Sequence, residues 1–99
     1  MSMRRARVDS NQAEIVAALR AAGATVHCLH SVGGGFPDII VGYRDVNYLM
    51  EIKDGRKPPS RRKLSKLEAE WHAAWRGQVC IVESVEDALA VINEVHDGG

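Results

Sequence analysis

The sequence predicts an α/β domain in which helices flank a mixed sheet, with the element order αβββαβα. Two apolar runs separated by turn residues, 39–41 and 48–52, form a hairpin pattern, and three stretches repeat apolar residues at helical spacing. A further apolar run at 79–82 lies between the last two helices, which predicts a strand reached by a crossover. At 99 residues and 45% hydrophobic, the chain is expected to be a single domain, 1–99, with a modest core.

The first helix is predicted to begin after a capping residue, Asp9 or Ser10, and to bury a stripe that includes Ile15 and Leu19. At about 100° per residue, Glu14 flanks this stripe instead of opposing it. Its carboxylate is therefore within reach of a sheet on which the helix packs. A solvent-facing glutamate favoured by the helix dipole is the other interpretation.

The first strand is predicted from Thr25 to His30, and the glycines at 33–35 end it. The glycine run lacks the spacing of a nucleotide-binding loop, so no nucleotide cofactor is expected. Cys28 and Cys80 each lie in an apolar run, which is typical of buried thiols. Two cysteines give neither a disulfide framework nor a metal-ligand spacing.

The hairpin has its predicted tip at Arg44 and Asp45, a register that places Asp38 directly opposite Glu51. Lys53 follows on the same face. Opposed Cβ atoms in an antiparallel pair lie roughly 4.5–5.5 Å apart. Two carboxylates at that distance can hold one divalent cation and repel each other without it.

Beyond the hairpin, Pro58 and Pro59 predict a stretch without regular structure, and Ser65 with Glu68 forms a capping box. A second helix is expected from about Lys66 to Arg76. Its apolar residues recur at helical spacing, so its two tryptophans, Trp71 and Trp75, are predicted to pack on the sheet. A last helix, capped by Ser84, carries the apolar residues Val85 to Ile92.

Three segments carry a family resemblance: Pro37-Asp38 with its flanking Gly-Phe and Ile-Ile-Val-Gly, Glu51-Ile52-Lys53, and the run from Leu64 to His72. Together they resemble the PD-(D/E)XK signature of the restriction-endonuclease-like superfamily and, more narrowly, the small stand-alone virus-type replication-repair nuclease (VRR-NUC) domains. The resemblance implies a restriction-endonuclease-like αβββαβ(α) core. It also implies metal-dependent hydrolysis of DNA phosphodiesters.

The same resemblance implies a role for each site residue. Asp38 and Glu51 are expected to bind Mg²⁺, or Mn²⁺ in its place, together with the carbonyl of Ile52, and Glu14 is a further candidate ligand. Lys53 is expected to orient or deprotonate the attacking water. Branched DNA, four-way junctions above all, and a homodimer are the implied substrate and assembly. A catalytically silent DNA-binding module and an interaction subunit remain as alternatives.

Net charge is zero, but the charges are unevenly placed along the chain. The stretch 53–66 is strongly basic, whereas the stretch 67–99 holds most of the acids. A solvated loop would explain such a run, but its start at Lys53 favours contact with a phosphate backbone. The residues expected to bind nucleic acid are Arg56, Lys57, Arg61, Arg62 and Lys63. The glycines at 33–35 are interpreted as allowing DNA to approach the hairpin.

The N-terminal residues carry arginines but no apolar signal-peptide core, and no run approaches the roughly 20 residues of a membrane span. The expectation is a soluble, cytoplasmic protein without a membrane partner.

Overall fold

The computed structural model describes residues 10–94, and within them the predicted order αβββαβα is confirmed. The helices and strands are α1 (Gln12–Ala21), β1 (Thr25–Cys28), β2 (Ile39–Tyr43), β3 (Val46–Ile52), α2 (Lys66–Ala74), β4 (Cys80–Val82) and α3 (Val85–Ile92). A 3₁₀ turn, Pro59–Arg61, stands where no regular structure was predicted. Proline fits there because its fixed φ suits the first turn of a helix.

The described strands form one mixed sheet in the order β1-β2-β3-β4, antiparallel except for the parallel pair β3 and β4. The predicted register of the β2–β3 hairpin is confirmed, with Ile39 opposite Met50. Arg44 and Asp45 form the tip with φ values of 52° and 66°. Two positive φ values are typical of the type I′ turn, whose twist matches that of the strands. Helix α2 then makes the crossover to β4.

One face of the sheet is closed by α1 and α3, which pack against it and against each other. Ile15 and Leu19 of α1, Ile39 and Met50 of the hairpin, and Val82 of β4 are completely buried there. The alternation of side chains along β3 sends Met50 and Ile52 into this core. Glu51 therefore points to the opposite face.

Helix α2 lies on that opposite face, and none of its residues, all of which the structure describes, is buried. Trp71 is half-buried and Trp75 is 41% exposed, so the prediction that both pack in the core was wrong. Their rings stack on each other at 4.6 Å between centroids, and Trp71 meets Phe36 edge-on at 5.1 Å. The apolar residues of this segment do lie on a helix, as predicted. Among the described residues, however, no second layer covers the apolar side of that helix.

Two further predictions about α1 and β1 were wrong. Strand β1 ends at Cys28, and Cys28 is exposed because it is the last residue of an edge strand. Asn11, not Ser10, is the N-cap of α1 and makes no side-chain capping bond. Asp9 lies outside the described residues.

The predicted caps of the last two helices agree with the structure. Ser65 and Glu68 form the capping box of α2, although that helix ends at Ala74, before Arg76. Ser84 caps α3. Both cysteines are free thiols. Within residues 10–94, no helix has the length and apolar character needed to cross a membrane.

Candidate metal and nucleic-acid site

The hairpin brings the carboxylates of Asp38 and Glu51 together on the face opposite the core. The Asp38 backbone N–H donates to the Met50 carbonyl at 3.1 Å, which extends the β2–β3 pairing to the residue before β2. The Ile52 N–H donates to Asp38 Oδ2 at 2.7 Å and so fixes that carboxylate over the sheet. The two carboxyl groups line one cavity, and their mutual repulsion contributes to a raised pKa of Glu51.

Glu51 is the most unusual acid of the site. It is only 1% exposed, and its Oε1 has no hydrogen-bond partner among the described residues. Burial, with added repulsion from Asp38 and Glu68, raises the pKa of Glu51 to about 9. Burial also raises the pKa of Asp38, against the bond from the Ile52 N–H. The pair therefore shares a proton at neutral pH unless a cation replaces it.

Lys53 bridges this pair to α2. Its Nζ lies 3.6 Å from Glu51 Oε2 and donates to Glu68 Oε1 at 2.8 Å. Glu68 Oε1 also accepts the Ser65 N–H at 2.8 Å, so the capping box of α2 holds the lysine. Although burial opposes it, the bonds from Lys53 and the Ser65 N–H lower the pKa of Glu68.

The contact between Glu68 and Lys53 was missed by sequence reasoning, which gave Glu68 a capping role alone. The one signal was its place in the segment from Leu64 to His72 that carries part of the resemblance. A spacing of 15 residues across a loop carries no periodicity that could have indicated the contact.

A cavity of about 280 Å³ contains these groups. Its lining residues are the acids Asp38, Glu51 and Glu68, the bases Lys53, Lys57, Arg61 and Lys63, and Ser65. Three acids line this cavity, and three of the five basic residues predicted to bind nucleic acid line the same space. This arrangement suits a cation and a phosphate bound side by side.

The other two basic residues are used elsewhere, which corrects the prediction of one five-residue surface. Arg56 makes a two-point pair with Asp54, at 3.0 and 3.2 Å. Hydrogen bonds from Arg56 lower the pKa of Asp54. Arg62 Nη1 donates to Glu83 Oε1 at 3.0 Å, and its Nε donates to the Lys57 carbonyl at 2.7 Å. Neither Arg56 nor Arg62 lines the Asp38 cavity.

Glu14, the further metal-ligand candidate, is also placed apart from the carboxylate pair. It lines a separate cavity of about 470 Å³ together with Asn11, Asp54 and Arg56. The reason lies in α1, which packs on the core face of the sheet, whereas Glu51 projects from the opposite face. The expectation that Glu14 joins the Asp38 site is therefore corrected.

A smaller cavity of about 160 Å³ adjoins the site and shares Asp38, Ser65 and Glu68 with it. His30, Gly33, Gly35, Phe36 and Leu67 complete its lining. At Gly35, φ is 84° and an added Cβ would collide with the Leu67 backbone. That glycine is thus required for close approach to α2, not to DNA. His30 was not among the site residues predicted from the sequence.

The donors present fit a hard divalent cation. Among residues 10–94, no group of three or more His, Cys, Asp or Glu side chains is arranged to hold a metal ion. A metal at this site would therefore rely on the Asp38 and Glu51 carboxylates with backbone or water oxygens, which is typical of Mg²⁺. The unpartnered, buried Glu51 Oε1 is the atom that such a cation would satisfy.

Comparison with known proteins supports the fold. No protein-family model and no curated protein matches the chain. A solved structure described as "VRR_NUC domain" superposes with a TM-score of 0.62 and 23% identity, over 86% of this chain and 92% of that chain. The mixed sheet flanked by helices is thus an α/β fold of the restriction-endonuclease-like type. More specifically, the protein has the fold of a VRR-NUC domain.

Proposed function

We propose that this protein is a Mg²⁺- or Mn²⁺-dependent endonuclease that hydrolyses phosphodiester bonds of DNA. The observation that carries the proposal is the pairing of the half-buried Asp38 with the buried Glu51, whose Oε1 lacks a partner among residues 10–94 and whose other oxygen lies 3.6 Å from Lys53. Burying Glu51 beside a second acid is costly for folding, and neither side chain contributes to the apolar core. A bound cation would offset that cost.

Asp38, Glu51 and the carbonyl of Ile52 are the proposed ligands. A cation held there would polarise the scissile phosphate and would lower the pKa of a bound water. Lys53 orients or deprotonates the attacking water and offsets charge that develops on the phosphate oxygens. Glu68 holds the Lys53 amine at 2.8 Å, so that the amine is positioned before substrate binds.

Lys57, Arg61 and Lys63 are the proposed phosphate contacts, because they line the cavity that contains the carboxylates. Contacts of this kind fix a DNA backbone in place and carry no sequence information. The enzyme is therefore proposed to select DNA by shape and not by base sequence. Branched DNA, in particular the four-way junction, is the proposed substrate.

A homodimer is proposed as the active assembly, since symmetric cutting of a junction needs two sites related by a two-fold axis. The described chain contributes one Asp38–Glu51 pair. Large apolar side chains exposed on the α2 side support association, namely Leu67 at 58%, Trp75 at 41% and Ile81 at 44% exposure. Sedimentation at micromolar concentration tests the assembly separately from the chemistry.

A gel assay tests the nuclease function directly. Purified protein is incubated with junction, flap, nicked and linear DNA, with Mg²⁺, with Mn²⁺ or with chelator. Metal-dependent cutting is expected, and Asp38→Asn or Glu51→Gln should abolish it while DNA binding persists. Glu14→Gln is the matched control, an acid that lines a different cavity, and should cut at the wild-type rate. DNA binding without cutting in any metal would favour the silent DNA-binding module instead.

A further inference from the structure

We propose that Asn11 is a positioning residue, which fixes the backbone of Lys53 so that the Lys53 amine is held beside Glu51. The inference rests on the proposed nuclease function and adds a role that the carboxylates and Lys53 do not fill. Asn11 does not line the cavity that contains the carboxylates. It therefore acts through Lys53 and not on the DNA.

The Asn11 side-chain amide joins three elements of the fold. Asn11 is 3% exposed and directly precedes the first residue of α1. Its Nδ2 donates to the Lys53 carbonyl at 3.1 Å, just after β3, and to the Glu83 carbonyl at 3.3 Å, just after β4. Both partners are carbonyl oxygens, so only the NH₂ side of the amide can bond to them. One side chain thus ties the ends of the parallel β3–β4 pair to α1.

Helix capping does not account for this asparagine. Asn11 is the N-cap of α1, yet it makes no side-chain capping bond. Its Oδ1 is buried and has no hydrogen-bond partner among residues 10–94. A buried carbonyl oxygen without a partner costs folding free energy, so this half of the amide opposes stability. What the amide provides is the pair of donors that reach Lys53 and Glu83.

Lys53 lies one residue beyond β3, past the last paired residue of the β3–β4 ladder. Its N–H donates to the Val82 carbonyl at 3.0 Å, and its carbonyl accepts the Asn11 amide. The next residue, Asp54, is buried, and Ser10 Oγ donates to its Oδ2 at 3.0 Å. The backbone of Lys53 is thus bound on both sides, and Ser10 and Asn11 anchor two successive residues to the start of α1.

The amine of Lys53 is held from the other face of the sheet. Its Nζ donates to Glu68 of α2 at 2.8 Å and lies 3.6 Å from Glu51 Oε2. A lysine side chain is a flexible stem, so the place of its amine depends on where the backbone begins that stem. Asn11 holds the backbone end, and Glu68 holds the tip. Catalytic groups have to be held within about 0.5 Å of the productive geometry, so a looser backbone end should slow the reaction.

A double-mutant cycle with Lys53 tests the role. Serine and aspartate are as good N-caps as asparagine. The serine O–H can donate to only one carbonyl, and the aspartate carboxylate can donate to none. Asn11→Ser and Asn11→Asp therefore keep the start of α1 and break the bridge between the two strand ends.

The measured quantities are the single-turnover cleavage rate at saturating Mg²⁺ and DNA and, separately, the affinities for DNA and Mn²⁺. Each Asn11 variant is expected to cut about 10- to 10²-fold more slowly than wild type, since a misplacement of about 1 Å can cost about 10²-fold. Both affinities should match those of wild type. In Lys53→Ala, the same substitutions should cause no further loss of rate, because the group that Asn11 positions is absent.

Val16→Ala is the matched control for stability, because Val16 is a buried residue of the same helix and lines neither cavity that contains Asp38. Rates are referred to the folded fraction from denaturant unfolding, and on that scale Val16→Ala should cut like wild type. Asn11 variants that also cut like wild type overturn the proposal. So does an equal fold-loss in both backgrounds, because Asn11 would then act independently of Lys53. Wild-type protein that cuts no DNA with metal overturns the nuclease function, and the positioning role falls with it.

Discussion

The two faces of the sheet are built on opposite principles. On the α1–α3 face, apolar side chains from both helices and every strand are buried in one closed core. On the α2 face, the buried Glu51 and the half-buried Asp38 lie beside a helix that has no buried residue of its own and ends next to the 41% exposed Trp75. Both faces grow from the same strands, because successive residues of β3 alternate between them.

The difference separates stability from chemistry. Met50 and Ile52 stabilise the fold by burial, while Glu51 between them raises the free energy of the folded state through a buried acid. The rigid core on one face lets the hairpin hold that acid in place on the other. Substitutions on the two faces should therefore act on different measurements.

The largest expected effect on stability comes from the core face. Leu19→Ala removes a completely buried side chain and should lower the free energy of unfolding by about 2–5 kcal/mol. Leu67→Ala, on the 58% exposed side chain of α2, should change it by about 0.5 kcal/mol or less. Denaturant unfolding of both variants checks the contrast. A large, concentration-dependent loss for Leu67→Ala would show instead that this face is covered by a second copy.

Lys53 should matter for rate and little for folding. Lys53→Ala is expected to lower the cleavage rate by roughly 10² or more while metal binding persists, since the lysine acts on water and phosphate. Glu68→Gln keeps a capping oxygen but removes the charge that holds the lysine, and should give a smaller loss. Single-turnover cleavage and metal titration are the measurements. Loss of metal binding in Lys53→Ala would make its role structural.

Glu51 should destabilise the metal-free protein as pH rises. Folding raises the pKa of Glu51 from its ordinary value of 4.5 to about 9. The free energy of unfolding therefore falls progressively as the pH rises from about 4.5 to about 9. At pH 8 in chelator, Glu51→Gln should therefore unfold at a higher denaturant concentration than wild type. Its free energy of unfolding should exceed that of wild type by about 1.4 kcal/mol or more. Near pH 4 the advantage should vanish, because the wild-type acid is then neutral in both states. Equal stability at pH 8 would contradict the buried-acid account.

The smallest effects are expected in the basic segment, where the structure separates two kinds of residue. Arg61→Ala with Lys63→Ala removes two charges that line the cavity. The slope of log DNA affinity against log salt concentration should fall by the equivalent of about two phosphate contacts. Arg62→Ala is the control, since its guanidinium is engaged by Glu83 and should not contribute to that slope. Binding measured from low to high salt checks both. Equal slopes for wild type, the double variant and Arg62→Ala would show that the basic segment is a solvated loop that does not contact DNA.

The hairpin could be predicted in detail because local rules determine it. The two-residue tip at Arg44 and Asp45 sets the register, and the register sets the face of Asp38 and Glu51. The tryptophans of α2 could not be placed the same way. Periodicity shows that a helix has an apolar side, but it does not show whether another layer covers that side.

Two further features could not be predicted from the sequence: the direction of side chains in loops, and the face of the sheet on which a helix packs. Glu14 flanks the apolar stripe of α1 as predicted, yet which face of the sheet receives α1 depends on the whole topology. Arg56 and Arg62 look like their neighbours in the sequence, and the acids that bind them, Asp54 and Glu83, are identified by tertiary structure alone.

The central claim is that Glu51 is a metal ligand whose missing partner is a divalent cation. Calorimetric titration of Mn²⁺ into the protein at pH 7, in two buffers with different ionisation enthalpies, tests it most directly. Binding should release about one proton, because Glu51 gives up its proton to the buffer when the cation binds. Glu51→Gln should lose both the binding and the proton release. Wild-type protein that binds no metal, or a Glu51→Gln variant that binds it equally well, would contradict the account.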